Sequence, residues 1–404
     1  MRHPWPPLWI LANILIWLIM ALPVRAETTS PAPAQTPAAN SVEPIPMRLA
    51  AIHKGDVTYV QALTRLTKTV EESSGKRIRP ELLANGKKGP EETALQELLQ
   101  GNLEGGFFSV LTLSRSLPAF RVLATPMLFN RPEQVRAFVG SPLDQGLREM
   151  AKTKRLLVLG YGSYGFYGIM NFRPAKNTTG TTPSLKQLAT RVPNDPWMLE
   201  VHQAMGLRPA TLPASDLADA IAGGWIQGLS ATPEMLNRTS FANANAGAFH
   251  QTRHLHGWMV LVLHGEWFNK LPADLQEVIT KAAATVLPQT LEQALAQEQK
   301  ILNKWTSDQH FTILTPSLAE ITTSEVKSLA LKHAREMEGL FNQPGLVVQS
   351  WEQNQIAAAA PGAPPPGKTE TKKTPAPPAG QPRASAPTNT NTAPRDPTKS
   401  RTTP

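Results

Sequence analysis

The chain has 404 residues, 38 prolines, no cysteine and a formal net charge of +9. The missing cysteine excludes disulfides, thiol catalysis, Cys-ligated zinc and iron–sulfur chemistry, so the chain depends on its core, which a folded region of about 310 residues can supply. Part of the basic excess sits near the C-terminus, where Lys368, Lys372, Lys373, Arg383, Arg395, Lys399 and Arg401 face only Glu370 and Asp396; this reads as solvated surface charge rather than a nucleic-acid footprint.

In chain order, Arg2 and His3 precede an apolar run from Leu8 to Leu22, and Val24-Arg25-Ala26 follows. This predicts a secretory signal, residues 1–26, cleaved after Ala26. The run is shorter than the ~20 residues of a bilayer span. Residues 27–46, rich in Thr, Ser, Pro and Ala, read as a disordered linker.

From Met47 the signals alternate. Met47–Ile52, Arg77–Leu83, Gly106–Val110, Arg121–Leu123 and Arg155–Leu159 read as strands. Helices are expected from Tyr59 to Val70, from Glu91 to Gln100, and over 132–152 with a break at Ser141-Pro142. A second block predicts helices over 196–205 and 214–222 and strands over 208–212 and 225–228. Trp258–Leu263 is continuously apolar, as a buried central strand would be. Leu271-Pro272 opens a helix to about Ser307 that Pro288 is expected to kink, and further helix follows from Ser324 to Phe341.

The pattern predicts an α/β protein of two lobes with mixed sheets and an inter-lobe cleft. The first lobe covers 47–165, the second 166–254, and residues 255–345 return to both. Residues 346–404, dominated by Pro, Thr and Lys, are expected to form a disordered tail.

Gly160-Tyr161-Gly162-Ser163-Tyr164-Gly165 matches G-x-G-x-x-G after a strand. A pyrophosphate needs a helix N-terminus next, and Phe166 to Pro174 is not helical, so the glycines read as a crossover between lobes. His250, His254, His256 and His264 cluster without an acidic companion or HExxH spacing; they read as ordinary polar residues, with His254 and His256 sharing a strand face. No G-x-S-x-G elbow or locally placed carboxylate pair names an enzyme, and no cofactor or metal is called. Arg191, in Arg191-Val192-Pro193-Asn194, either clamps a carboxylate in a bidentate pair or forms a surface salt bridge; local sequence leaves both open.

An ordered set of segments carries a family likeness. It comprises Leu185–Pro193, Gln203-Ala204-Met205-Gly206, Leu212–Leu217 and Gly224-Trp225-Ile226-Gln227-Gly228. Leu271-Pro272-Ala273-Asp274-Leu275-Gln276 follows downstream, with Ser74-Gly75-Lys76, Gly89-Pro90-Glu91 and Gly101-Asn102-Leu103 upstream. Over roughly 47–345 the chain resembles the DctP-type solute-binding proteins of tripartite ATP-independent periplasmic (TRAP) transporters. The resemblance implies a hinged two-lobe receptor with a long kinked helix spanning both lobes. It also implies a periplasmic location, a small organic acid ligand and membrane permease subunits as partners, with no enzyme activity and no nucleic acid; a monomer is expected.

The likeness puts the carboxylate-clamping arginine at Arg191, beside Asn194, with Ser109 and Glu91 at pocket positions of the first lobe. Two departures stand out. Met170 and Asn171 occupy the neighbourhood of a second family arginine, the nearest being Arg173, and Ala231 replaces a ligand-contacting asparagine. Trp225 and Trp258 are expected to bring apolar surface to the same region, implying a bulkier or less polar ligand. The alternative is an envelope structural or signalling protein that keeps the fold and has lost standard organic-acid binding.

Overall fold

The computed structural model describes residues 43–172, 185–239, 247–307, 311–321, 323–341 and 343–359. The expected signal, most of the linker, Arg173 and the chain beyond 359 lie outside these residues.

Two sheets carry the fold. The first has the order β2-β1-β3-β10-β4, built from β1 (Ile45–Ala50), β2 (Ile78–Leu83), β3 (Gly105–Ser109), β4 (Leu156–Phe166) and β10 (His256–His264). The second has the order β11-β9-β5-β8-β6-β7. Its strands are β5 (Gly168–Asn171), β6 (Ala189–Val192), β7 (Arg208–Thr211), β8 (Gly228–Ala231), β9 (Gly247–His250) and β11 (Phe311–Leu314). Both sheets are mixed: β1 runs parallel to β2 and β3, whereas β10 is antiparallel to β3 and β4.

The chain passes between the sheets at β4 to β5, at β9 to β10, and through the helix Ala273–Ser307. That helix packs on β4 and on the first-lobe helix Thr58–Ser73, and reaches the second lobe at helix Pro233–Asn237 and β11. It continues through Pro288.

Burial explains the strands. All nine residues of β10 are buried, so it runs as a continuous apolar segment with both faces covered. Trp258 on β10 is ringed by Phe138, Phe129 and Tyr161, with centroids 4.9, 5.3 and 5.6 Å away in edge-to-face geometry. The second lobe has a smaller apolar centre that includes Met170, Leu229, Phe249 and Trp305.

The glycines of the G-x-G-x-x-G segment serve packing. A Cβ on Gly160 would lie 2.7 Å from Leu287 of the long helix, and one on Gly162 would lie 2.9 Å from Tyr59. Gly165 has φ +96°, and a Cβ there would meet the Glu298 carboxylate at 2.5 Å. The glycines therefore let two helices approach β4 closely where the chain leaves the first sheet.

Several expectations are corrected. Residues 121–123 belong to a 3₁₀ helix, Pro118–Ala124, because a short apolar run does not by itself distinguish strand from helix. The strand expected at 225–228 begins at Gly228, since Gly224, at φ +75°, turns the chain and leaves Trp225 81% exposed. Val110 starts the helix Val110–Ser116 rather than ending a strand. β9 and β11 are short four-residue strands with no foreseen signal. His254 precedes β10 and so does not share its face with His256. Two boundaries also differ: β1 already starts at Ile45, and a helix occupies Leu346–Ala359 where tail was expected.

Candidate functional site

The two lobes and their crossing strands enclose a cavity of about 420 Å³. This falls within the usual size of small-molecule sites. The first lobe contributes His53 and Val57, ahead of helix Thr58–Ser73, and the crossing contributes Tyr164 and Tyr167. From the second lobe come Arg191 and Pro193 beside β6, Leu229 to Ala231 on β8, and residues of helix Pro233–Asn237 and the turn after it.

Arg191 is half-buried on β6. Its Nε donates to the Leu212 carbonyl at 3.3 Å, and no acidic side chain pairs with it among the described residues. Burial lowers its pKa from the ordinary arginine value. A guanidinium starts so far above neutrality that it remains a cation, here held by one backbone contact against an apolar wall.

The other polar groups are engaged. The Tyr164 and Tyr167 hydroxyls lie 3.2 Å apart. Ser230 Oγ is 3.4 Å from His254 Nε2, and Thr239 Oγ1 donates to the Leu236 carbonyl at 2.8 Å. His53 Nδ1 is 2.7 Å from the Tyr59 hydroxyl. Burial, aided by the Arg238 charge, pushes the His53 pKa down to about 4, so the ring is neutral at pH 7.

Two contacts tie the lobes together at the cavity edge. Helix Thr58–Ser73 has no side-chain cap of its own. Glu234, from the second lobe, accepts from Thr58 N at 3.0 Å and from Thr58 Oγ1 at 2.8 Å. A carboxylate here satisfies an orphan N–H and complements the helix dipole. Burial raises the Glu234 pKa, opposed by the two bonds from Thr58. Next to it, Arg238 pairs with Asp56 at 2.5 Å.

The expected site residues separate into two groups. Arg191 and Ala231 line the cavity. Asn194 is exposed and is not part of the wall. Glu91 and Ser109 meet each other instead: the Glu91 carboxylate accepts from Ser109 N at 2.7 Å, and from Ser109 Oγ and Thr112 Oγ1 at 2.6 Å each. They form a helix-start network inside the first lobe. Met170 and Asn171 are buried in β5, Met170 within the second-lobe core. Trp258, 1% exposed, is first-lobe core, because its face of β10 turns towards Phe129 and Phe138 rather than the cleft. Trp225 lies on the surface, so neither tryptophan supplies the cavity wall.

Sequence reasoning missed His53, Tyr164, Tyr167, Glu234 and Arg238 as wall residues. Arg238 is a second arginine at the cleft, reached along the chain from β8 rather than β5. Its only local signal was a polar residue following a short helix, a pattern with no special meaning in isolation.

The histidines are scattered rather than convergent. His254 packs edge-on to His202, with centroids 4.8 Å apart, while His256 lies between Phe166 and Trp258. His264 accepts from Trp267 N at 3.3 Å. Among the described residues no group of three or more His, Asp or Glu could hold a metal ion.

The two-lobed α/β fold has an inter-lobe cavity, and Arg191 on its wall has no acidic partner among the described residues. The sequence model of bacterial extracellular solute-binding protein, family 7 (DctP), matches residues 49–336, and the chain belongs to this family. It is a receptor family rather than an enzyme family.

Among curated proteins, a solute-binding protein of Sulfitobacter sp. is 25% identical over 241 residues, which is 58% of this chain and 71% of that one. A Haemophilus influenzae protein is 24% identical over 234 residues, 58% of this chain and 70% of that one.

Solved TRAP periplasmic solute-binding proteins share the fold. One from Ochrobactrum anthropi superposes with a TM-score of 0.69 at 20% identity, covering 78% of this chain and 95% of that one. One from Haemophilus influenzae, with bound L-gulonate, gives 0.65 at 20% identity, covering 77% and 99%. One from Sulfitobacter sp., with bound β-D-galacturonate, gives 0.63 at 19% identity, covering 73% and 97%.

Proposed function

We propose that this protein is the periplasmic receptor of a TRAP transporter. It is exported by the N-terminal segment, captures a small carboxylate between its lobes and delivers it to membrane permease subunits. The observation that carries the reading is Arg191, half-buried in the cavity wall without an acidic partner among the described residues. A cation so placed lacks a counter-charge that a ligand carboxylate can provide through two parallel hydrogen bonds. The carboxylates bound by the L-gulonate and galacturonate relatives support the same class of ligand. Closure follows from differential affinity: a ligand touching Arg191 and the His53–Val57 wall favours the state in which both are near.

Thermal-shift measurements on the purified protein against a panel of organic, keto, aromatic and sugar acids test the reading. Saturation at 100 times Kd adds about 2.7 kcal/mol of stability, a visible rise in Tm. A hit lost in Arg191→Ala supports a receptor anchored at that residue. A flat screen with folded protein rejects it and returns the alternative of an envelope protein that keeps the fold without the ligand.

A further inference from the structure

The carboxylate anchor leaves open what the rest of the ligand looks like, and the cavity wall answers that question. Resting on the receptor reading above, we propose that the cleft selects a monoanion whose body beyond the carboxylate is largely apolar, an aromatic or branched aliphatic acid, over polyhydroxy sugar acids and dicarboxylates.

Most polar groups of the wall already have a partner within the protein. Tyr164 and Tyr167 are bonded to each other, Thr239 to the Leu236 carbonyl, and His53 to Tyr59. Ser230 has His254, and Arg238 holds Asp56 through two nitrogens. Glu234 has one oxygen engaged by Thr58, and the other accepts nothing among the described residues. That leaves Arg191 as the wall cation without an acidic partner among the described residues, and only a little further polar capacity: the second Glu234 oxygen, one O–H of the tyrosine pair, the other His53 ring nitrogen and the spare lone pairs of the hydroxyls.

The remaining wall is Val57, Pro193, Leu217, Leu229, Met235 and Leu236, with Ala231 where the likeness expects an amide. A hexuronate brings several hydroxyls that must leave water, and each left without a partner costs about 1–3 kcal/mol. An apolar body against the same wall gains from its burial. A second carboxylate would find Arg238 already neutralised by Asp56, with Glu234 close by as a like charge.

The test is isothermal titration calorimetry on the full chain at neutral pH, with phenylacetate, 4-methyl-2-oxopentanoate, D-galacturonate, L-gulonate and succinate as probes. The expected result is that at least one of the first two binds tenfold or more tighter than each of the last three. Galacturonate, gulonate or succinate binding as tightly or tighter, with binding lost in Arg191→Ala, overturns this inference and leaves the carboxylate receptor standing. No binding by any acid in the panel overturns both.

Met235→Gln gives an independent readout. Met235 is only partly buried, so the variant is expected to fold, and the amide places polar atoms on the apolar wall. Fivefold or greater loss for the apolar acid, with no loss for galacturonate, is expected. Unchanged affinity for the apolar acid in a folded Met235→Gln protein overturns the inference.

Discussion

Charged side chains of the first lobe and Arg191 of the second are used in opposite ways. In the first lobe Glu104, Asp144 and Glu91 are engaged by their own surroundings. Glu104 accepts from Arg48 N, Nε and Nη2 at 2.7–2.8 Å, and Asp144 accepts from Gly140 N, Tyr161 Oη and Arg148 Nε at the same distances. Glu91 holds three donors of its own lobe. In the second lobe Arg191 has one long bond to a carbonyl and faces the cavity. A charge whose hydrogen-bonding capacity is filled at home holds a fold together, whereas one left unfilled at a cavity wall is available to a ligand. This separates Arg191 from Glu91 and Ser109, although the family likeness placed all three at the pocket.

Acid tests the buried histidines most strongly. Burial lowers the pKa of His202 and His250 to about 4, and that of His256 to about 3, aided for His256 by the Arg253 charge. Each ring binds its proton more readily in the unfolded chain, where its pKa is near 6.5. Their contribution is therefore complete above pH 6.5 and declines as pH falls towards 4. The expected loss is about 1 kcal/mol per histidine per pH unit across that window. Tm measured from pH 7.5 to 4.5 should drop steeply below 6.5; a flat profile to pH 5 would sink the assignment of neutral buried rings.

Next in size is Arg191→Ala. Removing the cavity cation should weaken ligand binding by a hundredfold or more, corresponding to about 3 kcal/mol. The fold should be kept, because among the described residues the side chain bonds only the Leu212 carbonyl. Calorimetry with a matched Tm measurement separates the two effects.

Glu91→Ala should reverse that pattern. Three donors lose their acceptor, and the expected cost is about 2 kcal/mol of stability. Ligand affinity should stay within twofold of the parent. A large loss of affinity at unchanged stability would return Glu91 to the binding site.

Asp56→Asn should do least. Asp56 is exposed, and a surface ion pair contributes under about 1 kcal/mol. The expected change is a fall in Tm of a degree or two that disappears at high salt, read by repeating the melt at 0.5 M NaCl.

Much of the fold was legible because its signals are local. The apolar run at Trp258–Leu263, the helix entry at Leu271-Pro272 and the break at Ser141-Pro142 all fall where periodicity and proline place them. Elements of four residues, such as β9 and β11, were not legible, since their pairing to each other depends on segments 64 positions apart in the chain. Of the cavity wall, Arg191 and Ala231 were readable. Arg191 carries its meaning through the surrounding Leu185–Pro193 segment, whereas Glu234 acquires its role by capping a helix whose first residue is 176 positions away.

By itself the sequence determined the class of the protein: alternating strands and helices, a glycine-lined passage out of the first sheet, a long helix returning across both lobes, and a candidate anchor at Arg191. Tertiary structure decided which side chains face the cavity. Trp258, Met170 and Arg191 all sit on strands, but the pleat and the packing of each sheet turn the first two into cores and the third to the cleft. Side-chain direction on a strand depends on which face its neighbours cover, and those neighbours come from distant parts of the chain.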